Sequence, residues 1–156
     1  MDIQVVVIPC VGDDVYAKRQ MEYLNRNIDN SMDTQYPISL PKILIPRKVP
    51  GRGKASTGYY VFGEPDSAIL ETYFEMKEEY GVHLDLLYGA PAWNLLLQRW
   101  KSDLYEKPVS SKDENDCPLK GRQIMYVHSG GLEGVASQLT RYRHKGLVDS
   151  REIQPS

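Results

Sequence analysis

The residues whose types and spacing could do chemistry are Tyr88 and the run His128-Ser129-Gly130-Gly131. Paired glycines after an apolar stretch let the backbone turn tightly and leave amides exposed at a helix start, where a phosphate or another anion can bind. Ser129 adds a hydroxyl that donates or accepts. Tyr88 ends a second apolar stretch and offers a flat ring for stacking, or a phenolic proton. Both features also have plain structural meanings: a strand-to-helix turn needs glycine for steric reasons, and a tyrosine at a strand end is commonly a satisfied core residue. Ser129 stands on a strand–turn–helix corner as a hydrolase nucleophile does. The elbow pattern G-x-S-x-G, however, requires glycine where Val127 stands, and only Gly131 fits it. His83, His128 and His144 keep no ligand spacing with one another or with carboxylates, so no metal site is expected. There is no phosphate loop of the Walker type and no G-x-G-x-x-G.

The elements that must position these residues alternate along the chain. Ile3-Gln4-Val5-Val6-Val7-Ile8 is β-branched almost throughout and reads as a strand buried on both faces. Gly12-Asp13-Asp14 can turn and cap a helix carrying Ala17, Met21, Leu24 and Ile28 on one stripe. A second unit runs from Tyr59-Tyr60-Val61-Phe62 into a helix with Ile69, Tyr73, Met76 and Tyr80, opened by Asp66 and closed by Gly81. His83 to Tyr88 then reads as a short strand, Gly89-Ala90-Pro91 as a turn, and Trp93, Leu96, Leu97 and Trp100 as the next helical stripe. The last unit joins the strand Gln123–Val127 to a helix with Leu132, Val135, Leu139 and Tyr142. Arg141, Arg143, His144 and Lys145 crowd its final turn, facing the negative end of the helix dipole. Pro41 to Lys54, basic and rich in Pro and Gly, and Glu106 to Lys120 read as loops. Strands alternating with helices predict an α/β fold with three layers and a largely parallel sheet, whose ligands sit at the carboxyl ends of the strands. The turns after Tyr88 and after His128 would then share one rim.

Composition bounds the partners. With 19 Lys+Arg against 21 Asp+Glu in 156 residues, the net charge of −2 argues against a nucleic-acid binder. The run Ile3 to Val11, interrupted by Gln4 and Pro9, is far shorter than the ~20 residues that cross a bilayer, so no membrane span is expected. Two cysteines, Cys10 and Cys117, suggest no disulfide framework and fit a cytoplasmic setting, with Cys10 as a small buried hydrophobe.

Tyr126-Val127-His128-Ser129-Gly130-Gly131-Leu132-Glu133-Gly134 resembles the C-terminal signature of the 1-aminocyclopropane-1-carboxylate deaminase and D-cysteine desulfhydrase family, fold-type II pyridoxal-phosphate enzymes related to the tryptophan synthase β subunit. Three other stretches resemble the family in order: Val7 to Asp14, Thr57-Gly58-Tyr59-Tyr60, and Gly81 to Tyr88. The resemblance covers about residues 3 to 148 and implies that 1–148 is the C-terminal part of a tryptophan synthase β-like cofactor domain, with 149–156 as a flexible tail. It implies that pyridoxal 5'-phosphate is the cofactor and that Ser129 bonds its ring nitrogen. Gly130 and Gly131 would shape the backbone beside the ring, and Tyr88 would lie over it, with a part in proton transfer. Tyr60, or Phe62 if the spacing from Tyr88 is kept, would be a second catalytic position. Pro91 stands where the family has its usual lysine, and Gly89 where the deaminases have an acid; the loss of the acid favours a desulfhydrase or an uncharacterised member over the deaminase proper.

The family's Schiff-base lysine and phosphate loop precede the stretch that matches Ile3, and no lysine here falls in a matching context. The expected function is therefore the C-terminal part of a deaminase or desulfhydrase acting on a small amino acid, inactive alone. Its partner would be a homodimer mate or a complementing chain with the N-terminal half. The alternative is a non-catalytic α/β binding or regulatory module, itself able to pair with a lysine-bearing chain.

Overall fold

In a computed structural model, residues 3–29, 40–46, 58–105, 119, 122–128 and 130–149 are described. Four helices and a short parallel sheet make it an α/β arrangement: β1 (Val6–Val7), α1 (Asp14–Asp29), β2 (Lys42–Ile43), α2 (Ser67–Tyr80), α3 (Gly89–Tyr105) and α4 (Val135–His144), the last preceded by a single 3-10 turn at Leu132–Gly134. β1 and β2 pair in parallel with Val6 opposite Lys42 and Val7 opposite Ile43. The amides of Lys42 and Leu44 donate to the carbonyls of Val5 and Val7 at 3.1 and 2.9 Å.

The helix boundaries follow capping chemistry. Asp13 opens α1, its carboxylate accepting from the Tyr16 amide at 2.8 Å, and Asp66 opens α2 by accepting from the Ala68 amide at 2.9 Å. Gly81 closes α2 with φ 65°, a left-handed conformation that glycine adopts without steric cost. The expected stripe on α2 is in the core at Ile69, Tyr73 and Met76, whereas Tyr80 is exposed.

Several local expectations change. The basic stretch from Pro41 is not all loop: Lys42 and Ile43 form β2, and Leu44 beyond them is buried because Leu96 and Leu119 pack on it. Tyr59 to Phe62 and His83 to Tyr88 are not strands; the first ends in a turn at Phe62–Gly63 and the second runs into a turn that starts α3. Gln123–Val127 is extended, yet its backbone has no hydrogen-bonded neighbour among the described residues, so no ladder makes it a strand. Its side chains still alternate, with Ile124 and Tyr126 packed inward and Met125 and Val127 bare. Ile3 and Val5 are bare in the same way, so these segments are not buried on both faces, and Leu24 on α1 is exposed as well. On α3 the buried face centres on Leu95, Leu96 and Arg99 rather than on the tryptophans, because the helix packs on both sides. Of the expected loop Glu106–Lys120 only Leu119 is among the described residues, and of the expected tail 149–156 only Asp149.

Two packed clusters meet at α3. One joins α2, α3 and α4 through Ile69, Tyr73, Leu95, Leu139 and Tyr142, and the other lies between β2 and α3. Ile8, Trp93 and Tyr126 touch both. A polar network crosses the first: the Tyr60 hydroxyl donates to Asn94 Oδ1 at 2.5 Å, Asn94 Nδ2 donates to Thr72 Oγ1 at 2.8 Å, and Gln98 also donates to Asn94. Arg99, buried, donates to the Ile45 carbonyl at 3.1 Å just past the end of β2.

Replacing Asp66 by alanine removes the α2 cap and is expected to cost about 1 kcal/mol, seen as a melting temperature lower by ~2–4 °C in thermal unfolding; an unchanged melting curve would show that the cap does not support the fold.

Candidate functional site

The site is built on one carboxylate. Asp85 is 2% exposed and sits where the chain turns into α3. Its Oδ1 accepts from the amides of Leu87 and Tyr88 at 2.9 and 2.6 Å, and Oδ2 from Gly89 at 2.8 Å. Helix starts leave amides without intrahelical partners, and an anion there meets both the free donors and the positive end of the helix dipole. His128 Nε2 lies 3.3 Å from the same Oδ2. The Tyr126 hydroxyl donates to the Gly89 carbonyl at 3.3 Å.

Glycine is required at two places around this carboxylate. A Cβ on Gly89 would come within 2.8 Å of both Asp85 Oδ2 and His128 Nε2, and one on Gly131 would come within 3.1 Å of Asp85 Cγ. Gly131 also has φ 98° and Gly130 φ 107°, in the left-handed region. The turns after Tyr88 and after His128 thus meet at one rim. The turn after β1 reaches it too, with Cys10 Sγ 3.6 Å from the Tyr88 carbonyl and 3.7 Å from that of Ile8.

Tyr88 is half exposed, and its ring lies 5.4 Å from that of Phe62, tilted by 46°. Of the two residues that could occupy the second aromatic position, Phe62 stands beside Tyr88, while Tyr60 is in the core with its hydroxyl on Asn94. Phe62 has no proton to transfer. Ser129 lies outside the described residues. The site residues brought together are therefore Tyr88, Gly130 and Gly131; Tyr60 is not among them.

Burial, aided by the Asp85 charge, pushes the Cys10 thiol up to about 11 from 9.0. Burial also pushes the Tyr126 hydroxyl from 10.0 to about 12, with Cys10 and Asp85 adding to it. Both groups are protonated near neutrality, so neither is an activated nucleophile or base.

The Asp85–His128 pair was missed by sequence reasoning because 43 residues separate its members. A usable signal was present: an aspartate a few residues ahead of Gly89-Ala90-Pro91 fits a helix start, as Asp66 does. Among the described residues, no group of three or more His, Cys, Asp or Glu side chains could hold a metal ion. No described helix is long and apolar enough to cross a membrane.

No family model matches the chain. A stretch of 90 aligned residues, 51% of the chain, is 27% identical to Lysophospholipase NTE1 of Debaryomyces hansenii and covers 6% of that protein. This corrects the expected description of the chain as a pyridoxal-phosphate lyase of the deaminase or D-cysteine desulfhydrase kind: the similarity found is to a hydrolase of another class.

Because the folded protein binds the Cys10 and Tyr126 protons more tightly than the unfolded chain, this contribution to stability is intact below pH 9.0 and lost as pH rises through about 11 and then about 12. Denaturant unfolding across that range should show falling stability, and Cys10→Ala should remove the lower-pH part of the fall. Gly89→Ala is expected to destabilise by ~1–3 kcal/mol through crowding of Asp85 and His128; a variant as stable as the parent would mean that this close approach is not needed.

Proposed function

We propose that the chain is a binding module for a small, flat-ringed, anionic ligand of the pyridoxal-phosphate type, without turnover of its own. The observation that carries this is the half-exposed Phe62–Tyr88 ring pair at the start of α3, the helix start to which Gly131 is also brought through its close approach to Asp85. An open aromatic face can stack on a ring, and left-handed glycines let a ligand approach the backbone closely. When bound, such a cofactor supplies an electron-withdrawing ring; this chain's residues would hold and orient it. Tyr88 would stack, Gly130 and Gly131 would give it room, and Asp85 would keep the three turns in place.

The finer architecture belongs to the same proposal. β1 and β2 would be part of a larger, three-layer parallel sheet of fold-type II, and the bare Ile3, Val5, Met125 and Val127 would be covered by a second copy or a complementing chain. A cytoplasmic location goes with it, as does the absence of nucleic-acid and membrane partners.

Pyridoxamine 5'-phosphate is the suitable probe, because it cannot condense with surface lysines. Calorimetric titration should show saturable one-to-one binding, weakened about tenfold in Tyr88→Ala by loss of the stacking face. No saturable binding to the parent protein, or equal binding to both, would overturn the reading. The competing outcome is acyl-ester hydrolysis, the reaction class that the similar lysophospholipase names, with Ser129 as nucleophile from its place on the sequence's strand–turn–helix corner. Covalent labelling of Ser129 by a fluorophosphonate, together with fatty-acid release from a lysophospholipid, would replace the binding reading.

A further inference from the structure

We infer that His128 is a positioning residue: through Asp85 it clasps the Gly130–Gly131 turn to the first turn of α3 and so fixes the rim in its ligand-ready shape. The part that concerns ligand rests on the binding reading above; the clasp itself does not.

The argument starts from how the Asp85 oxygens are used. Oδ1 is taken by two amides, whereas Oδ2 accepts from Gly89 and lies 3.3 Å from His128 Nε2. The three amide bonds all lie within the turn that starts α3 and hold nothing else. The extended segment 123–128 has no backbone hydrogen bonds among the described residues. Its polar ties to α3 are two side chains, His128 on Asp85 and Tyr126 on the Gly89 carbonyl.

The Tyr126 ring is also held by packing, 5.0 Å from Trp93 and nearly perpendicular to it. The Tyr126 tie is thus secured from α3, two residues before the turn. His128 stands two residues before Gly130, and Gly131 approaches the same carboxyl group so closely that a Cβ would crowd it. The carboxylate is therefore approached both by a side chain entering the turn and by a glycine leaving it. Without the His128 tie, a turn with two left-handed glycines, and with no ladder behind it among the described residues, has many backbone states open to it.

Hydrogen exchange on the full ligand-free chain tests the clasp. His128→Ala should speed exchange in the peptide spanning 130–134 at least tenfold, while α2 amides keep their rates because the Asp66 cap of that helix does not involve His128. His128→Gln, which retains a side-chain N–H donor, should restore most of the protection. Parent-like exchange at 130–134 in His128→Ala would overturn the clasp, and so would equal acceleration in α2, which would mark a general stabilising role. Pyridoxamine 5'-phosphate titration then separates the two claims. Binding by the parent with undiminished affinity in His128→Ala overturns the link to ligand. Absence of binding by the parent overturns the binding reading and with it the ligand clause, leaving the clasp decided by exchange.

Discussion

A buried carboxylate at a helix start is the constraint on which the rest of the rim depends. Asp85 has almost no access to water, and a charge in that position is tolerable only where donors replace its hydration. Three successive amides and the dipole of α3 do so. Once the carboxylate is fixed there, its surroundings have little freedom. The residue at the helix start must be Gly89 and the one across the carboxyl must be Gly131, because a methyl group at either place would collide with it or crowd it. Cys10, from the far side of β1, is held as a neutral thiol partly by the same charge.

Periodicity and capping made the helices legible in the sequence, since both are local properties. Ile69, Tyr73 and Met76 recur at helical spacing, and Asp66 and Gly81 mark the ends by backbone chemistry that does not depend on the remainder of the fold. The strands were less legible. An apolar extended run states that a segment is able to pair, while a ladder also needs a neighbour at the right distance. Gln123–Val127 has the composition without the neighbour, and Lys42–Ile43, hidden in a basic stretch rich in proline, has the neighbour without the expected composition.

The site divided along the same line. Tyr88 and the two glycines stood out because each closes a local pattern. The pairing of Asp85 with His128, and the choice of Phe62 over Tyr60 as the ring beside Tyr88, are set by long-range packing. Tyr60 and Phe62 differ by two positions, a spacing at which an irregular backbone decides side by side which ring turns inward. The inward one found Asn94, and a phenol buried with a partner is a stable solution.

The network around Asn94 has a consequence for how the helices are matched. Apolar side chains on α2 and α3 would accept several relative rotations with similar burial, but Thr72, Asn94 and the Tyr60 hydroxyl satisfy one another in a single alignment. Rolling α3 by one residue, ~100° about its axis, would carry the Asn94 amide out of reach of both Thr72 and the Tyr60 hydroxyl. The network thus acts as a key that selects one rotational setting of α3. Since Gly89 begins that helix, the same key sets the direction in which the first-turn amides point.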